Sequence, residues 1–139
     1  MKLRFPRRAV VVLTAGLMLT TVACWAHKYR AVGTKIVPAA SGTVNTKTDK
    51  NGNVTLDLQV KNLAKPGTLT PPAAAYVVWF EEEGSPARNE GQLLVSDDLK
   101  GEFKSTTPYH NFELRVTAET DPQSKQPSER TVMQTRISD

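Results

Sequence analysis

The sequence predicts an all-β fold, an antiparallel immunoglobulin-like β-sandwich of about seven to eight strands that follows an N-terminal signal helix. Three observations carry that prediction. Residues 53–62 and 112–119 alternate apolar and polar side chains, the period of a strand with one face in a core and one in water. Ala75-Tyr76-Val77-Val78-Trp79-Phe80 is an unbroken apolar run between Pro71-Pro72 and Gly84, too short for a helix and rich in strand formers. Turn signals then recur about every 8 to 12 residues, and no stretch after the leader sustains a helical period.

The leader comes first. Lys2, Arg4, Arg7 and Arg8 form a basic start, residues 9–23 carry no charge, and the stretch closes on Thr21-Val22-Ala23-Cys24, the layout of an export signal. That ending resembles a bacterial lipobox, with Thr21 where an aliphatic residue is usual, which would make Cys24 the lipidated first residue of the mature chain. Cleavage after Ala26 with release, and an uncleaved membrane anchor, are the other two readings. A helix over residues 9–26 would reach about 27 Å, a little short of a hydrocarbon core of about 30 Å. The four leader cations also dispose of the basic net charge. Without them the 18 lysines and arginines fall to 14, equal to the 14 acidic residues, so the mature part is neutral. A neutral chain argues against nucleic acid as a partner, because displacing counterions from phosphates needs an excess of positive charge.

Residues 25–33 mix basic and aromatic side chains without a period and read as a tether, Trp25 and Tyr29 being suited to a headgroup region if the chain is anchored, with a disordered start as the reading preferred over any specific membrane contact. Residues 34–139 then form the sandwich. Residues 34–40 and 42–48 read as two short strands, the first interrupted by Pro38 and so placed at an edge. Asp49-Lys50-Asn51-Gly52 is a turn into the alternating strand 53–62, since Asn-Gly supplies a positive φ cheaply. A calcium loop is the competing reading there, and the glycine stands only three places after Asp49, too early for it. Residues 63–74, with three prolines and a glycine, cross to the central strand.

Along that strand Tyr76, Val78 and Phe80 point one way and Val77 and Trp79 the other, so both faces must be covered. A charged turn follows over 82–89. Residues 90–96 and 100–105 read as a hairpin about Asp97-Asp98-Leu99. In the strand 112–119, Phe112, Leu114, Val116 and Ala118 point inward. An exposed loop over 120–129 leads to a last strand, 130–137, beside it. The predicted core centres on Tyr76, Val78, Trp79, Phe80, Phe112, Leu114 and Val116.

Few residues offer chemistry. Cys24 is the only cysteine, so no disulfide forms within the chain and no thiolate cluster can hold a metal. The two histidines, His27 in the tether and His110 in a loop, lack the cysteine that a blue-copper site requires. No G-x-S-x-G elbow accompanies His110. Glu81-Glu82-Glu83 and Asp97-Asp98 would face a hard cation if their loops shared one end of the sandwich, and otherwise read as solvated charge. No catalytic, cofactor-binding or metal-binding residue is therefore assigned.

One resemblance becomes visible once the strands are placed. Tyr76-Val77-Val78-Trp79-Phe80, Gly91-Gln92-Leu93, Gly101 with Phe103, and the segment from Phe112 through Val116-Thr117-Ala118-Glu119 look like the extracytoplasmic domain of anti-sigma-K factors, the RskA-like C-terminal domain. The resemblance covers about residues 75–137. Asp121-Pro122-Gln123-Ser124 replaces the two-glycine signature that often follows the glutamate in that family. It implies a β-sandwich outside the cytoplasm. It does not imply sigma-factor binding, since no cytoplasmic domain fits before Ala9.

The expected function is that of a small non-enzymatic binding or sensory module of the cell envelope. The chain would be held to the membrane by a lipid on Cys24, or secreted or periplasmic if it is released, and would meet an envelope protein. Residues 81–89 and 120–129 are the expected contact loops, because function tends to sit on loops carried by a rigid scaffold. The alternatives are an anti-sigma-related regulator without the cytoplasmic domain, and a metal-dependent enzyme using His110 and the acidic loops.

Overall fold

The computed structural model describes residues 26–138. The expected signal segment 1–24, including Cys24, and Trp25 at the head of the expected tether lie outside the described residues. Eight strands follow in chain order: β1 (Ala26–Gly33), β2 (Ser41–Thr48), β3 (Val54–Lys61), β4 (Ala75–Glu82), β5 (Arg88–Leu93), β6 (Gly101–Thr107), β7 (Asn111–Glu119) and β8 (Thr131–Ser138). A 3-10 turn at Pro66–Thr68 interrupts the crossing from β3 to β4. The fold is all-β and antiparallel, as the alternation predicts. Its strands make one sheet in the order β5-β4-β7-β8-β1-β2-β3-β6.

That sheet rolls until its ends nearly meet. Between the two end strands the backbone pairing is the isolated bridge of Val95, just past β5, with Gly101 of β6, beside the packing of Leu93 at Gly101 and of Phe103 at Gly91. In the middle, β1 and β8 share just the pairs Val32 with Gln134 and Gly33 with Met133. The sheet therefore works as two four-stranded layers, β5-β4-β7-β8 and β1-β2-β3-β6, thinly stitched along both seams. Their inner faces meet in one core, where Val44, Leu56, Leu58 and Val60 belong to the same cluster as Val78, Phe80, Leu114, Val116 and Met133. Phe80 and Phe112 stack at 4.7 Å between centroids, tilted by 45°. Gly42 stands where the packing is tightest, since a Cβ there would lie 2.8 Å from Met133 Sδ and 3.2 Å from Ala31 Cβ.

Three sequence expectations need correction. The tether does not exist as such over 26–33, because those residues are β1, paired along its length with β2 from Ala26 opposite Lys47 to Val32 opposite Ser41. Residues 34–40 are not a strand but a tight connection. Gly33 N–H donates to Ala40 O and Ala40 N–H to Val37 O, which turns Val37 and Ala40 into the core. Nor do β5 and β6 form a hairpin. β6 pairs with β3, Phe103 opposite Leu58, and so builds the far end of the other layer.

The Asn-Gly turn and the central strand are as expected. Gly52 has φ +81°, and Asp49 Oδ1 accepts from the N–H groups of Asn51 and Asn53. Every side chain from Ala75 to Phe80 is buried. Tyr76, Val78 and Phe80 enter the shared core, and the Tyr76 hydroxyl donates to Ala64 O at 2.7 Å. Val77 and Trp79 point outward and yet are fully buried. Residues 120–130 close over this side. Asn89 Nδ2 donates to Pro122 O and Ser124 O, and Ser128 Oγ donates to Ala118 O.

Candidate functional site: an uncovered sheet face

The two layers differ in how their outer faces are finished. On β4 and β7 the outward side chains form a buried polar chain. Trp79 Nε1–H donates to Thr117 Oγ1 at 2.7 Å, the Thr117 hydroxyl donates to Glu119 Oε1, and Ser128 N–H donates to the same oxygen at 2.8 Å. Glu119 is 5% exposed, so this carboxylate is held by hydrogen bonds in place of water. The expected contact loop 120–129 is thus partly spent on roofing the strand beneath it.

Among the described residues, no such roof covers β1-β2-β3-β6. Its outward residues line up in rungs set by the pairing register: Ala26, Lys47, Thr55 and Thr106; then Lys28, Asn45, Asp57 and Lys104; then Arg30, Thr43, Gln59 and Glu102. Three open depressions of about 580, 550 and 490 Å³ lie on this face. The first two share Asn45, and the last two share Gln59 and Lys61, so they join into one furrow. Six residues of strand separate its ends, about 20 Å at 3.4 Å per residue.

The charge of the face is one-sided. Lys28, Arg30, Lys47, Lys61 and Lys104 point outward from it against two acids, Asp57 and Glu102. Glu102 is engaged with Lys104 at 2.7 Å, which raises the Lys104 pKa. Lys28, Arg30, Lys47 and Lys61 enter no ion pair among the described residues. Asp57 sits between Asn45 and Lys104, and its Oδ1 is buried without a hydrogen-bond partner, whereas Oδ2 lies 3.5 Å from Gln59 Nε2.

The acidic and histidine residues singled out in the sequence are placed apart. Glu82 pairs with Phe112 at one end of the sheet, while Asp97 and Asp98 follow β5, whose Leu93 pairs with Tyr76 near the other end. Each group meets local cations: Glu81 with Arg115 at 3.0 Å, Asp97 with Lys65, and Asp98 with Lys100 at 2.6 Å. Asp98, held also by Ser96, has its carboxyl lowered to about 2, chiefly by the bond from Lys100. His110 Nε2 is 2.9 Å from Gly52 O, at the turn between β2 and β3. Among the described residues, no three His, Cys, Asp or Glu side chains converge as metal ligands. Among them, too, no helix is long and apolar enough to cross a membrane.

No family model matches the chain, and no curated protein is similar to it at a significant level.

Proposed function

We propose that this chain is an exported binding module of a bacterial cell envelope, tethered through a lipid on Cys24 and acting through its folded surface without catalysis. The observation that carries the reading is the pairing of a roofed outer face with an uncovered, cation-rimmed furrow, which is the layout of a scaffold that holds something on one side. The leader supports the location. β1 begins at Ala26, two peptide links from Cys24 and therefore at most about 7.6 Å away, so a lipid there holds the sheet directly on the membrane with no slack. The furrow would then stand beside the bilayer, starting at its surface. Palmitate labelling of cells tests the tether. Label is expected on the full chain and lost in Cys24→Ala, and label that persists in the variant removes the tether from the account.

A second reading, an anti-sigma-related regulator, has one supporting observation. Trp79, Thr117 and Glu119, which belong to the segments that resemble the anti-sigma-K domain, are bonded to one another as a unit. Retention of a membrane-spanning anti-sigma protein by the tagged chain would favour it, and a clean pull-down would count against it.

A further inference from the structure

We infer that Asn51 is a site of self-modification, where the side-chain amide is lost as ammonia through a cyclic imide with Gly52, and that the Asp49 carboxylate restrains this reaction in the folded chain. The site is the turn between β2 and β3, and it is independent of the reading of the chain as an envelope binding module. Of the six asparagines in the sequence, Asn51 alone is followed by glycine. The neighbour matters because the backbone nitrogen of the next residue attacks the asparagine Cγ, and a side chain on that residue crowds the approach. Asn51 and Gly52 are both exposed, and a Cβ built on Gly52 would meet no atom within 4 Å, so the imide ring has room to close. The bond from Gly52 N to Asn51 Cγ forms as the bond from Cγ to Nδ2 breaks, and the proton lost by the nitrogen leaves with the amide group as ammonia. Water then opens the ring at either carbonyl, to aspartate or to isoaspartate. Both products place a new carboxylate beside Lys50, and isoaspartate also lengthens the backbone of the turn by one methylene.

The folded turn withholds the attacking atom. Gly52 N–H donates to Asp49 O at 3.0 Å, which keeps the proton on the nitrogen. Asp49 Oδ1 accepts from Asn51 N–H at 2.7 Å and from Asn53 N–H at 3.0 Å, fixing the backbone on both sides of the reacting pair. Asp49 N–H donates to Asn53 O at 2.8 Å, and His110 Nε2 donates to Gly52 O at 2.9 Å from the loop before β7. The bond from Asn53 N–H holds the Asp49 carboxyl below its usual range, so it remains an acceptor at neutral pH. With its proton engaged the nitrogen is not available to Cγ, and the reaction waits for the turn to open locally. The Asp49 side chain supplies two of these bonds and neither of the reacting atoms, so removing it raises the open fraction and leaves the chemistry intact.

Incubation of the full chain in detergent and mildly alkaline buffer, followed by peptide mass spectrometry, tests the inference. The peptide 51–61, released by cleavage after Lys50 and Lys61, is expected to gain about one mass unit and to separate into an aspartate and an isoaspartate form, with fragmentation placing the change at Asn51. In water enriched with heavy oxygen the product takes up the label, as ring opening requires. Asp49→Ala is expected to raise the rate by about fivefold or more. Gly52→Ala is expected to suppress it, although alanine at φ +81° strains the turn and by loosening alone would hasten the reaction. Trp79→Phe, a change in the other layer, is expected to leave the rate as it was, because local opening of the turn and not global unfolding is the route. No gain of mass in the parent or in Asp49→Ala, equal rates in those two, or a rate raised as much by Trp79→Phe as by Asp49→Ala overturns the inference. Modification of Asn45 or Asn111 as fast as that of Asn51 overturns it as well.

Discussion

Replacing Trp79 by alanine probes the roof over β4 more directly than any other change. The ring is fully buried on the side away from the shared core, and its indole N–H donates to Thr117. Truncating a buried tryptophan to alanine costs about 3 to 5 kcal/mol. A domain with about 5 to 15 kcal/mol of total stability loses about a fifth or more of it that way. At about 4 to 8 °C per kcal/mol for a domain near this size, the melting temperature falls on the order of 20 °C. Urea unfolding followed by circular dichroism measures the loss without relying on the fluorophore that has been removed. A companion variant, Trp79→Phe, keeps most of the apolar area and deletes only the donor, for about 1 to 2 kcal/mol. Its effect should not add to that of Thr117→Val, because both variants break the same bond. A loss under about 1 kcal/mol for Trp79→Ala would show that residues 120–130 do not close over the ring, and the distinction between a roofed and an open face would fail.

Other perturbations address the core and the seams. Val116→Asp is expected to unfold the domain, since the side chain is fully buried between Val78 and Met133 and the new charge would have no partner; circular dichroism of the purified variant reads this. Gly42→Ala forces a Cβ against Met133 Sδ and should cost about 1 to 3 kcal/mol in urea melts, with part recovered when Met133→Val withdraws the sulfur. Burial pushes the Tyr76 hydroxyl from 10.0 up to about 12, so the folded chain favours its neutral form. That contribution is complete below pH 10 and is lost as pH rises towards about 12, a decline in melting temperature that Tyr76→Phe should abolish.

What the sequence disclosed followed from how strongly each segment repeats. The alternation of Val54, Leu56, Leu58 and Val60, and of Phe112, Leu114 and Val116, marks β3 and β7 because their inward positions are all apolar. The unbroken β4 run shows by itself that both faces are covered. β1 escapes notice because its inward positions are His27, Tyr29 and Ala31, while Val32 points to solvent at 66% exposure, so neither register looks apolar. Residues 34–40 mislead in the opposite sense. Ile36 and Val37 are strand formers, yet only Val37 is buried, and it lies in a tight turn.

The furrow was hidden for a different reason. A net charge of zero over residues 25–139 says nothing about sidedness, and here Lys28, Arg30, Lys47, Lys61 and Lys104 come from four strands that the pairings of β1 with β2, β2 with β3 and β3 with β6 bring side by side. Asp57 looks in the sequence like any solvent-facing residue of an alternating strand. Its buried, unbonded Oδ1 is visible only once Asn45 and Lys104 flank it. The buried pair Thr117 and Glu119 is equally silent, since Glu119 is enclosed by a loop that reads as plain exposed chain.

The junction of β1 with β8 also bears on how the molecule is made. The second strand of that seam leaves the ribosome after the other seven strands, and the bonds Thr34 N–H to Val132 O and Tyr29 Oη–H to Ser138 O reach back to β1 and the residue just after it, which emerge before those others. The β2 and β3 arms can zip locally, but β1 waits with one edge bare until β8 has been made. A product truncated before Thr131 would keep that edge permanently open to chaperones, proteases and copies of itself.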